Sequence, residues 1–514
     1  MDEKNTIVEA IAIKDGKIVE VGPERQILNR YSAEEVIDAK MKDVYPGFTD
    51  AHAHILSYAK SKLGVNLYGS RSYAEMIAKI EKYQSKKQRS FIIGGGWDQS
   101  IWGESELPNN DRLSEEFPDI PVCLFRIDGH ALMANDFLLK QVGLLQDGSA
   151  TPDYTCQGGY FVMDSSGFTG IAVDNAMNKI IAKIPDYSEK EMRAAILEIQ
   201  SELLSYGITG VHEAGMLKNE LDLMINMVDD QTLQLNIYGM LLPTEENIAF
   251  ARKNGIYEHN NLLVRSFKVF GDGALGSRGA FLKQVYSDHH DHKGYLITEM
   301  DEIKRIAGIC EELNYQMNTH AIGDSTNRLL LDVYQDIYSR KPDHRWRMEH
   351  AQVVDPADFI LFAKSGAFPS VQPTHAVSDQ RWAEDRLGKN RMKGAYAYNS
   401  LLQQFGAIAI GTDFPVEYPD PFRTIHAAVN RKNSENIPSG GFLASERITL
   451  EECLRGMTSW AALAAFQEKT LGTLEKGKDA TLVIFEKPIE AWPDYQPNYA
   501  NTTIIKGKKV HSLE

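Results

Sequence analysis

The amino-acid sequence predicts an α/β chain: a (β/α)₈ TIM-type barrel with a small β-sandwich domain built from both termini and an insertion after barrel strand 1. Three observations lead there. Short β runs alternate with amphipathic helical stretches through the middle of the chain, the pattern of a parallel sheet wrapped by helices. Both ends read as sheet. The stretch 67–174 fits no single strand–helix unit.

The N-terminal sheet reading rests on Ile7–Ile13 and Ile18–Val21, which flank an Asp15-Gly16 hairpin turn. Its C-terminal counterpart is Ala480–Phe485 and Thr502–Val510. Between them, candidate barrel strands are Val44–Asp50, Ile208–Glu213, Leu235–Leu241, Ser266–Gly271, Gln316–Thr319, Arg347–Glu349, Phe368–Val371 and Ala407–Gly411. Amphipathic segments such as Ser188–Ser205, Met300–Leu313 and Thr326–Tyr338 separate them. The insertion holds its own β runs, Phe91–Gly95 and Val122–Ile127. The expected boundaries are 1–45 with 470–514 for the small domain and 46–469 for the barrel.

Composition narrows the function. The 514 residues exceed one ordinary core, which suits a large domain with an appendage. With 55 basic and 71 acidic residues the net charge is -16, which argues against nucleic acid or an anionic membrane as main partner. Cys123, Cys156, Cys310 and Cys453 are far apart and form no C-x-x-C pair, so neither a thiolate metal site nor a disulfide framework is expected. The opening Met1-Asp2-Glu3-Lys4-Asn5 is polar, without a signal-peptide run, and no stretch reaches membrane-span length. The expectation is a cytoplasmic protein acting on a small molecule; a homodimer is compatible with this.

The chemistry starts at Pro46-Gly47-Phe48-Thr49-Asp50-Ala51-His52-Ala53-His54. Strand alternation places His52 and His54 on one face, within reach of one ion. A lone His-x-His is a weak signal, but three further β runs end in such residues: His320, His350 and Asp413. Each sits where a barrel strand meets its loop, the rim on which barrel sites are built. Four histidines and a carboxylate suit zinc, iron or manganese, and zinc is the expected ion, one or two of them. Lys268 lies within the apolar run Phe267–Phe270. It reads either as an ion-paired or snorkelling ammonium, or as a neutral amine carbamylated by carbon dioxide and able to bridge two metals; the metal-rich surroundings favour the second.

In order and strand position these residues resemble the amidohydrolase superfamily, and more narrowly the amidohydrolase-3 or YtcJ-like group, which includes N-substituted formamide deformylases. Supporting stretches are Gly95–Asp98, Arg126–His130, Gly207–Val211, Asp272–Arg278 and Leu471–Ala480. The resemblance spans nearly the whole chain. It implies that His52, His54 and Asp413 hold the more buried metal, that His320 and His350 hold the second, and that carbamylated Lys268 bridges them. It also implies a further short strand ahead of Ile7–Val21, so the small domain is expected to lack an edge strand or the chain to begin late.

In the mechanism this implies, a bound cation lowers the pKa of its water toward ~7 and Asp413 shuttles the proton to the leaving nitrogen. Hydrolysis of a linear N-acyl or N-formyl amide leads; ring deamination or lactone or ester hydrolysis on the same centre is the alternative. A catalytically dead scaffold is disfavoured because such relatives lose ligands, and the set here is complete. Candidate substrate contacts are Trp97, Asp98, Asp128 and His130 in the insertion, which is expected to cover the mouth, with Asp272 and Arg278 after strand 4 and His375 after strand 7. The cluster His289, His290 and His292 reads as solvated loop, and His212 as a group behind the ligands.

Overall fold

The computed structural model describes residues 6–103, 106–146, 149–150, 155–165 and 167–513. The polar opening Met1–Asn5 therefore lies outside the described residues. Eight parallel strands follow one another around a nearly closed barrel: Phe48–Ala53, Ile208–Met216, Asn236–Leu241, Leu262–Phe270, Gln316–Ala321, Arg347–His350, Phe368–Val371 and Ala409–Ile410. They are barrel strands 1 to 8 below. Closure comes at the rim, where Asp413 N donates to His52 O at 2.8 Å and His54 N donates to Phe414 O at 2.9 Å.

Local chemistry explains the wrapping helices. Helix Glu189–Ser205 begins at a reciprocal cap, in which Ser188 Oγ accepts from Glu191 N at 3.3 Å and Glu191 Oε2 accepts from Ser188 N at 3.1 Å. Such a cap contributes about 1 kcal/mol. The buried face of this helix, Ile196, Ile199 and Leu203, shares one core with Ile208 and Val211 of strand 2. Met300–Leu313 and Asp324–Arg340 bury one stripe each in the same way. Among the described residues no helix is long and apolar enough to cross a membrane.

The apolar run expected as one strand over Val44–Asp50 is two. Val44–Pro46 pairs antiparallel with Leu482–Phe485 in a four-stranded sheet completed by Ala500–Ile505 and Lys508–Ser512. The barrel strand starts afresh at Phe48. Pro46 cannot donate to a ladder, and at Gly47 a β-carbon would collide with the Thr209 side chain. The N-terminal hairpin Ala10–Lys14 and Lys17–Gly22 turns at Asp15 (φ 52°) and Gly16 (φ 75°), the left-handed pair that a two-residue hairpin demands. It meets the C-terminal segment through Ile18 N to Lys478 O at 2.9 Å and Ala480 N to Gly16 O at 2.8 Å.

The insertion carries a six-stranded sheet in the order Gly159–Asp164, Gly167–Asp174, Ala131–Ala134, Val122–Arg126, Ile92–Trp97, Val65–Asn66. Leu124, Met133, Ile171 and Val173 fill its core.

Candidate metal centre

Strand alternation brings Asp50, His52 and His54 to the same end of strand 1, and each finds a different task. The Asp50 carboxylate is buried and accepts from Thr412 N at 3.0 Å, Thr412 Oγ1 at 2.6 Å and His52 N at 3.2 Å. It thus braces strand 1 against the loop that carries Asp413. His52 is fully buried, with Nδ1 2.5 Å from Glu349 Oε2. That contact leaves Nε2 to face inward, 3.2 Å from Lys268 Nζ and 3.6 Å from Asp413 Oδ1. His54 Nε2 lies 3.1 Å from the same Asp413 oxygen.

His52, His54 and Asp413 form one group able to hold a cation, their ligand atoms all within 4.8 Å of one another. A second group of that kind joins Asp413 to His350 and His375. His375, expected as a substrate contact, therefore stands where His320 was expected to act. His320 remains adjacent, its ring 4.5 Å from that of His350. His350 Nδ1 is 2.8 Å from Gln372 Oε1. Two members are held in the left-handed region, His350 at φ 73° and Asp413 at φ 62°. Non-glycine residues there store about 1–3 kcal/mol of strain each, which the surrounding structure must hold.

Electrostatics prepares these groups as ligands. Burial, then the neighbouring Lys268, pushes His52 down to about 4. Burial likewise holds His320 and His350 well below the ordinary imidazole range. All three are thus neutral near neutrality, as a metal ligand must be. Burial alone would raise Asp413, but the His375 hydrogen bond and then His52 and His54 hold it well below the carboxylate range. Lys268, fully enclosed, is lowered by burial to about 8. His375 lies between Asp413 Oδ2 at 3.2 Å and Glu417 Oε1 at 3.4 Å, and these two overcome burial to raise it to about 10. Three imidazoles with free lone pairs converging on one carboxylate are the donor set a borderline cation such as zinc takes, so the residues fit the ion.

The remaining expected residues divide. Trp97 does not reach the mouth: it is fully buried in the insertion core, its indole N–H donating to Leu124 O at 2.9 Å. Asp98 and Asp128 pair with the buried Arg126 at 3.1 Å and 2.5 Å, and Asp98 also meets Arg381 at 3.3 Å. Asp272 is spent on backbone, accepting from Ile322 N, Gly323 N and Phe281 N at 2.8–3.0 Å, which leaves Oδ1 3.8 Å from His320 Nε2. Arg278 pairs with Asp288 at 3.1 Å. His130 does reach the centre, its ring 4.9 Å from that of His320. His212 accepts from Arg347 Nη1 at 3.0 Å behind the ligands, and His292 engages Arg278 O at 2.8 Å.

Sequence reasoning missed the carboxylates that orient these rings: Asp50, Glu349 and Glu417, with Asp174 behind His130. Asp50 was open to it, since it shares the period-two face of His52 and His54. Glu213, at the end of strand 2, was also missed; it is buried, and its Oε2 accepts from Ile55 N at 2.5 Å, directly after His54.

Comparison with known proteins agrees with this arrangement. The profile described as amidohydrolase family matches residues 35–511. The putative amidohydrolase YtcJ of Bacillus subtilis is 27% identical over 94% of this chain and 92% of its own. The N-substituted formamide deformylase of Arthrobacter pascens is 24% identical over 95% of this chain and 91% of its own. Among solved structures, an uncharacterized metal-dependent hydrolase of Pyrococcus horikoshii superposes with a TM-score of 0.76 at 26% identity, covering 98% of this chain and 96% of that one.

Proposed function

We propose, from the premise that this chain belongs to the amidohydrolase family, that it is a metal-dependent hydrolase of linear N-acyl or N-formyl amides. The observation that carries the reading is the convergence of the neutral His52 and of His54 on the ionised Asp413 at the rim of a barrel. The relationship to an N-substituted formamide deformylase supports the substrate class. The likeness to a metal-dependent hydrolase supports the metal.

In this reading His52, His54 and Asp413 hold a zinc ion, and His350 with His320 or His375 holds a second. Lys268, lowered by burial into the range where its amine is partly neutral, is open to carbamylation and to bridging them. When bound, the cation activates a water and polarises the scissile carbonyl. Asp413 takes the proton from that water and passes it to the leaving nitrogen. Glu349 keeps His52 turned with Nε2 inward. The insertion, about residues 67–174, supplies one wall of the mouth. Residues 1–45 and 470–514 form a small β unit that flanks the barrel and stays remote from the chemistry.

The test is substrate profiling of purified, zinc-loaded protein against N-formyl and N-acyl amides, matched esters and lactones, and aminated heterocycles. Preferential turnover of linear amides is the expected result. Turnover confined to esters, lactones or ring amines would replace the substrate class while leaving the metal centre in place.

A further inference from the structure

The contact between insertion and barrel is built around one buried carboxylate. Asp174 ends the insertion strand Gly167–Asp174, and its side chain is fully enclosed. Its Oδ1 lies 2.6 Å from His130 Nδ1, and its Oδ2 accepts from Tyr295 Oη at 2.6 Å. Tyr295 belongs to the segment after barrel strand 4, and Gly273 and Gly279 of the same segment cradle the carboxylate, since a β-carbon at either would collide with Oδ2. A backbone bond, Asp174 N to His130 O at 3.0 Å, closes the unit. Asp174 is held at φ 52° and ψ -128°, a conformation that L residues avoid. Strain of this kind persists only where the surroundings over-determine it.

The product of this arrangement is the placement of His130. Its ring lies 4.9 Å from that of His320 and 6.4 Å from that of Phe270, at the edge of the metal centre. Nδ1 is spent on Asp174, and among the described residues Nε2 has no hydrogen-bond partner. A carboxylate on one ring nitrogen fixes ring orientation and leaves the other nitrogen for a ligand.

We propose that His130 is a catalytic residue which the insertion delivers to the centre, its Nε2 hydrogen-bonding the scissile amide, and that Asp174 is its positioning residue. The inference rests on the hydrolase reading above. It also explains what the insertion is for: it completes the site as well as covering it.

Two substitutions of near-equal size separate this from a purely structural role. In His130→Asn the shorter side chain reaches only the Nδ1 position and keeps the Asp174 contact. In His130→Gln the longer one places its amide near the Nε2 position. Steady-state kinetics on a linear amide should show His130→Asn losing about 10- to 100-fold in kcat, the worth of one hydrogen bond to a charged or developing centre. His130→Gln should retain more of the rate, with zinc content unchanged in both. Equal losses in the two variants, or a smaller loss in His130→Asn, would overturn the proposal. A readout independent of turnover is the ¹⁵N spectrum of histidine-labelled protein. His130 should show a protonated Nδ1 that is lost in Asp174→Ala; an unprotonated Nδ1 in the unsubstituted protein refutes the positioning role. Failure of the wider reading shows itself separately, as a protein that takes up no zinc.

Discussion

Removing the charge of Glu349 while keeping its shape should loosen the metal without unfolding the barrel. Glu349 is fully buried, with Oε2 2.5 Å from His52 Nδ1 and Oε1 2.8 Å from Arg347 Nε. Burial alone would raise its carboxyl, but Arg347 and then His52 hold it well below the carboxylate range. In Glu349→Gln the amide has one acceptor oxygen for two donors, so either His52 or Arg347 loses its partner. Losing the group behind a ligating histidine typically costs 10- to 100-fold in metal affinity, about 1.4–2.7 kcal/mol. Complete truncation, Glu349→Ala, also leaves the Arg347 cation buried and unpaired and should cost about 3–5 kcal/mol of folding stability. Zinc competition against a chromophoric chelator measures the first quantity, and denaturant unfolding of metal-free protein the second. A folded Glu349→Gln protein that binds zinc as tightly as the unsubstituted one would refute the reasoning, because His52 would then need no partner to be a ligand.

Asp413→Asn should keep the fold and part of the metal but lose turnover by at least the roughly 10²- to 10⁴-fold that a general acid–base group supplies; rate and metal content measured on one preparation check this. Lys268→Ala should lose the second metal, and short carboxylic acids with bicarbonate should partly restore activity by supplying bridging oxygens; unchanged metal and rate in that variant would end the bridging role. Glu213 is raised by burial from 4.5 to about 8. Its folded value exceeds the unfolded one, so its contribution to stability is full below 4.5 and is lost as pH rises through about 8. Glu213→Gln, whose amide oxygen can still accept from Ile55 N, should flatten the fall in melting temperature on the alkaline side; a parallel fall in both proteins counts against it.

Much of the barrel was legible because its polar residues interrupt apolar runs at strand ends. His52, His54, His320, His350 and Asp413 all stand at such ends, and the structure gathers them at one rim. The orienting carboxylates were not legible because their partners are distant in the chain: Glu349 and His52 are separated by 297 positions and meet only when strands 1 and 6 face across the barrel. Val44–Asp50 was misread because Pro46-Gly47 breaks the strand without changing its polarity. Trp97 was misread because Gly95–Asp98 looks like a loop, whereas strand Ile92–Trp97 runs on to the tryptophan and turns its ring inward. His375 was placed near the site but in the wrong role, since nothing in its neighbourhood announces that Glu417 and Asp413 close around it.

The most direct measurement is anomalous diffraction at the zinc edge from crystals of the zinc-loaded protein. The account predicts a peak bonded to His52 Nε2, His54 Nε2 and Asp413 Oδ1 at about 2.0–2.2 Å, the distances zinc makes to such ligands, with density for a carbamate on Lys268 if a second peak lies near His350. Zinc found elsewhere, with these three side chains left as they stand, would contradict it.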